Sequence, residues 1–168
     1  MNESKNSRIF KCKNKVLNKN NKMLKYNRKI VYINTLKQII ANTKRLDYMF
    51  HNYKGTSIND LFLLMDVADI DITSTSKMFY QCNNLVSVPK LNTTYVTSMD
   101  YMFCTCHNLK EIPQLDTSNV TTMDCMFSSC LELEVIDITS MDKIQSAYAA
   151  NYFCNCCYSL NKLIIRKN

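Results

Sequence analysis

Two short stretches place thiols, and in one case an imidazole, close enough to suggest metal or nucleophile chemistry. They are Cys104-Thr105-Cys106-His107 and Cys154-Asn155-Cys156-Cys157. A structural zinc site needs four ligands in tetrahedral array, usually from two pairs of cysteines with two to four residues between them, and the C-x-C spacing of Cys104 with Cys106 and of Cys154 with Cys156 is less typical. A Cys-His nucleophile pair needs side chains aimed at each other and a third group to orient the base. Residues adjacent in the chain do not aim that way, and the only other histidine is His51. The acids Asp100, Asp116, Asp124, Asp137 and Asp142 recur near turns, where capping backbone N–H groups is the simplest use of a carboxylate. A calcium site would group several acids in one short loop. A single glycine, Gly55, leaves no glycine-rich phosphate cradle. The sequence therefore assigns no catalytic residue, metal or cofactor, and the chain is expected not to be an enzyme.

The same cysteines fall into order when the elements around them are considered. Met78-Phe79, Cys82 and Leu85 return as Met102-Phe103, Cys106 and Leu109, then as Met126-Phe127, Cys130 and Leu133, at a step of 24 residues. A weaker copy lies at Met49-Phe50 and a distorted one at Tyr152-Phe153, Cys156-Cys157 and Leu160. Self-similarity at such a period marks a repeat architecture, in which one unit cannot bury its own apolar face and neighbours supply the missing contacts. Cys82, Cys106 and Cys130 are then buried, reduced side chains in one equivalent slot. Met99, Met102, Met123 and Met126 are core, while Cys104, Cys125 and Cys154 fall outside the ladder and are expected to be exposed.

Within each repeat, Val96, Met99, Met102, Phe103 and Cys106, and again Val120, Met123, Met126, Phe127 and Cys130, follow a helical spacing, the second behind Thr117-Ser118-Asn119 as an N-cap. Leu85–Val88, Leu109–Ile112 and Leu133–Ile138 read as short strands, the first two ended by Pro89 and Pro113. Leu163-Ile164-Ile165 reads as a closing strand. Residues 30–45 carry Ile33, Leu36, Ile39 and Ile40 on one helical face and are expected to cap the first repeat. With one glycine, the turns are expected to rely on Asn and Asp.

Charge divides the chain. Of 21 basic and 14 acidic residues, positions 1–29 hold ten bases and one acid, Glu3, leaving residues 30–168 close to neutral. The basic stretch has no clear periodicity and is expected to be an irregular, solvated arm. Its charge would also suit nucleic acid or an anionic surface, although lysine without interleaved aromatic residues is a weak nucleic-acid signal. No secretory signal or membrane-length apolar run is present, so the sequence predicts a cytoplasmic product.

The segments IPQLDTSNVTTMDCMFSSC and VPKLNTTYVTSMDYMFCTC closely resemble the BspA-type leucine-rich repeat, also described as a repeat of mycoplasma-type surface lipoproteins. The resemblance is strong over residues 69–138 and weaker over 46–68 and 139–165. It implies an α/β fold: a right-handed leucine-rich-repeat-like solenoid over 46–168, with coils of strand, turn and short helix stacked on a parallel sheet. It also implies protein–protein contact or adhesion, often at a cell surface or in secreted proteins, and a protein or surface glycan as partner. Repeat proteins bind through an extended face whose residues vary from unit to unit. Here that face is expected to include Ser87, Lys90, Lys110, Glu111, Gln114, Glu134 and Asp137.

Overall fold

The computed structural model describes residues 17–18, 23–26, 29–59, 69–139 and 152–166. β1 (Leu17–Asn18), β2 (Met23–Tyr26) and β3 (Lys29–Tyr32) pair antiparallel in that order; the first two lie where the sequence suggested irregular chain, and β3 takes residues 30–32 that were expected in the capping helix. β3 leads directly into α1 (Ile33–Thr43). That helix stops because Lys44 takes a left-handed conformation (φ 52°) and donates its N–H to the Ile40 carbonyl at 2.7 Å, a closure that satisfies one of the helix's unpaired terminal carbonyls. Ile40 is fully buried and Ile39 packs against the same core, so α1 lies over the first copy of the repeat.

From Arg45 onward the copies lie side by side. Parallel bridges join Arg45 to Ser74, Ser74 to Ser98, and Ser98 to Thr122. The rings of Phe50, Phe79, Phe103 and Phe127 stack in register, with centroids 5.5, 5.3 and 5.4 Å apart and planes within 10°. Met78, Met102, Met126, Cys82, Cys106, Cys130, Leu85, Leu109 and Leu133 are all fully buried beside them.

The segments whose spacing suggested helices are not helical. Each is a train of overlapping turns in which alternate amides do different work. In the second copy the N–H groups of Met78, Tyr80 and Cys82 bond three residues back, to Thr75, Lys77 and Phe79. Those of Lys77, Phe79 and Gln81 cross to the carbonyls of Asp100, Met102 and Cys104 in the next copy. The third copy repeats this from Tyr101, Phe103 and Thr105 to Asp124, Met126 and Ser128. The alternation requires a left-handed residue every fourth position, and it has one at Tyr48 and Asn52, Lys77 and Gln81, Tyr101 and Thr105, Cys125 and Ser129. Only one of these eight is the Asn or Asp expected from the sequence. Pairing to the neighbouring copy, rather than local side-chain preference, holds the backbone there.

The expected strands also differ. β4 (Val135–Ile138) and β5 (Lys162–Ile165) form a parallel pair, but residues 85–88 and 109–112 are not strands. They keep single cross-copy bonds, Lys110 N–H to Val86 and Glu134 N–H to Lys110. Pro89 and Pro113 then remove the donors a continuous ladder would need. The fifth copy is shifted by three residues: the Cys157 thiol and the left-handed Cys156 (φ 60°) take the places of Cys130 and Ser129. Phe153 therefore falls in the methionine slot and meets Phe127 edge-on at 87°.

Candidate binding surface

The interior columns show what the recurring residues do in each copy. Each ladder cysteine donates its thiol to a carbonyl of the preceding copy: Cys82 to Phe50, Cys106 to Phe79, Cys130 to Phe103 and Cys157 to Phe127, at 2.9 to 3.1 Å. Alanine would fit the space but could not donate. Burial pushes the Cys106 and Cys130 thiols well up and the Cys157 thiol to about 11, so they remain protonated donors. The eight described cysteines are free thiols. Cys104, expected at the surface, is 8% exposed, and burial, reinforced by neighbouring Cys125, raises its pKa. Cys125 and Cys154 are half-buried. Among the described residues no three His, Cys, Asp or Glu side chains converge as metal ligands.

The aspartates serve the polar columns. Asp100 accepts from the hydroxyls of Ser98 and Thr122 and from the Asp124 N–H. Asp47 accepts from Ser74 and Arg45. Asp116 accepts from the Ser118 N–H and the Thr139 hydroxyl; burial opposes its ionisation, yet these bonds outweigh it and lower its pKa. Asp142 lies outside the described residues.

Of the residues expected to form a binding face, Lys90, Lys110, Glu111, Gln114 and Glu134 are exposed, while Ser87 and Asp137 are half-buried. The cross-copy bonds line up Val86, Lys110, Glu134 and Lys162 in one column, a row of apolar, basic, acidic and basic side chains. Asp137 is held by both ends of the Arg166 guanidinium at 2.8 and 2.7 Å, which lowers its pKa and ties it up within the chain.

A second face escaped the sequence reading. On the outside of the turns, the slot before each Met and the slot after each Phe are half-buried surface positions, except the slot after Phe103, which holds the buried Cys104. In the first three copies they hold Tyr48, His51, Lys77, Tyr80 and Tyr101. His51 stacks on Tyr80 at 5.4 Å, and Tyr80 meets Tyr101 edge-on. The Lys77 ammonium donates to the Tyr48 hydroxyl at 3.0 Å and lies 5.2 Å from the centres of both the Tyr48 and Tyr101 rings. The bond to Tyr48, against the opposing effect of burial, raises its pKa. In the fourth copy the same slots hold Cys125 and Ser128. Aligning the copies on Met-Phe brings out this column; the two slots are three residues apart, a spacing that shares a face in a helix as well as in these turns.

A family profile described as Mycoplasma protein of unknown function, DUF285, matches residues 73–166, more than half of the chain. The chain belongs to this family. The match runs from Thr73, at the start of the second copy, to Arg166, just beyond β5. The family segment thus holds the column from Val86 to Lys162, while Tyr48, His51 and α1 precede it. No curated protein matches the chain, and no solved structure matches it. Among the described residues no helix is long and apolar enough to cross a membrane.

Proposed function

We propose that the chain is a non-catalytic interaction module: a short right-handed solenoid of BspA-type leucine-rich repeats that recognises a protein or a surface glycan through its outer faces, as an adhesion-type surface protein would. The observation that carries this reading is the contrast between the slots. Interior positions repeat Met, Phe, Cys and Leu, whereas the exterior slots between them change from copy to copy. Repeat proteins use that division to build extended recognition surfaces on a constant frame. The turn face offers tyrosine rings beside a cation, the side-chain types in which binding energy concentrates. The Lys110–Glu134 column offers charges of both signs. Neither face holds a nucleophile beside a base.

The test is capture of partners on immobilised chain, comparing the unaltered protein with Tyr80→Ala/Tyr101→Ala and with Lys110→Glu/Glu111→Lys. A partner lost with either pair, at unchanged thermal stability, supports the proposal. Partners retained by both retire it. A second reading, binding of nucleic acid or an anionic surface, is favoured by the ten bases of residues 1–29. Phosphate-driven binding falls steeply as salt rises and would vanish when those residues are deleted.

A further inference from the structure

The two ends of the row of copies differ. At one end α1 covers the first copy. At the other, β5 is paired on one side only among the described residues, and four of the six large apolar side chains exposed among them belong to the last copy and β5: Tyr152, Tyr158, Leu163 and Ile165, the last two 46% and 49% exposed.

The backbone bonds define the free edge. Lys162 and Arg166 donate their N–H groups to Glu134 and Ile138 on the β4 side. Alternation along a strand turns the amides and carbonyls of Leu163 and Ile165 the other way, where they have no partner among the described residues. We propose that this edge is a self-association site, at which β5 of a second copy of the chain pairs antiparallel across a two-fold axis at Ile164.

That register is self-complementary. It sets Leu163 opposite Ile165 of the second copy, and Ile165 opposite its Leu163. Those are the two residues with outward backbone groups, so each opposed pair exchanges hydrogen bonds in both directions. The same pairing brings together the two exposed apolar side chains, which lie on one face because they are two residues apart. Lys162 falls opposite Arg166 of the second copy, but each Arg166 is already neutralised by its own Asp137. The sheet then runs β4–β5–β5–β4 through the axis. Because α1 blocks the opposite end, the contact cannot repeat head to tail, and association closes at two copies, as an isologous interface does. A single strand pair lies at the small end of specific interfaces, so the dimer is reversible and depends on concentration.

Sedimentation equilibrium of the full chain under reducing conditions, across a concentration series, tests this. A monomer–dimer equilibrium is expected. Ile165→Pro removes the outward N–H without touching a bond within the chain. Leu163→Lys puts charge into both opposed pairs, and serves if the proline variant fails to fold. Each should weaken dimerisation about tenfold or more while leaving the unfolding midpoint of the dilute monomer unchanged. A chain that stays monomeric throughout, larger open-ended oligomers, or a dimer that both variants leave intact would overturn the proposal.

Discussion

Truncating Phe103 measures how far one copy depends on the next. Its ring is fully buried and lies between Phe79 at 5.3 Å and Phe127 at 5.4 Å, nearly parallel to both. Removing a buried Phe side chain to Ala costs about 3–5 kcal/mol. Each aromatic pair adds about 0.5–1.5 kcal/mol beyond the area it buries. Phe103→Ala should therefore cost about 4–8 kcal/mol, against a total stability of about 5–15 kcal/mol for an ordinary domain. Phe103→Leu keeps most of the apolar volume and loses mainly the two ring pairs, so about 2 kcal/mol is expected. Urea denaturation followed by circular dichroism, with the slope checked for constancy, gives both values. A Leu variant as stable as the unaltered chain would show that the ring pairs contribute nothing. A loss under about 1 kcal/mol for Ala would refute the claim that the copies are coupled through this column.

Two further outcomes follow from the backbone and the thiols. Thr105 is β-branched and sits at φ 59°, where a non-glycine residue is strained by about 1–2 kcal/mol and Asn much less so. Thr105→Asn should raise stability by about 1 kcal/mol in the same urea assay, and a loss would show that its side chain matters more than its backbone. Stability should also fall in alkali. The Cys157 thiol is pushed up to about 11 from an ordinary value of 9.0, so the unfolded chain releases this proton first as pH rises. Stability is then level below pH about 9 and declines as pH approaches 11, with the buried Cys106 and Cys130 thiols adding to the contribution of Cys157. Cys157→Ser, which keeps a hydroxyl donor for the Phe127 carbonyl, should make that decline shallower; an unchanged slope would assign it wholly to the other groups.

The period and the buried Met, Phe, Cys and Leu slots were legible in the sequence because burial of like residues at a fixed step needs no knowledge of the backbone between them, whereas α1 is shorter than the expected 30–45. The conformation of that backbone was not. Met99, Met102, Phe103 and Cys106 fit a helical stripe, but a train of turns with a left-handed residue every fourth position buries the same residues. Nothing in Tyr101, Thr105 or Cys125 announces φ > 0, because the conformation is imposed by bonds to the next copy. Cys104 was misplaced for the same reason: a residue facing outward from a helix lies beneath Cys125 and Ser128 of the neighbouring turns. The three-residue shift of the last copy was hidden by Cys156-Cys157, where either thiol satisfied the pattern. Of the candidate surface, the Lys110 and Glu134 column followed from the variable positions. The aromatic face lies at positions three residues apart, which a helical reading would also turn outward, and it was missed because only the residues near the strands were weighed.

The direction of the cross-copy bonds has a consequence for length. On the turn side Lys77, Phe79 and Gln81 donate toward the following copy, whereas on the opposite side Lys110 and Glu134 donate toward the preceding one. A helix adds its peptide dipoles head to tail, so opposite partial charges accumulate at its two ends. Here the two flanks carry amide columns of opposite sense, and their fields along the axis largely cancel. Inserting another 24-residue unit would lengthen the array without building up charge at its ends, so duplication of a unit meets no electrostatic limit on the number of copies.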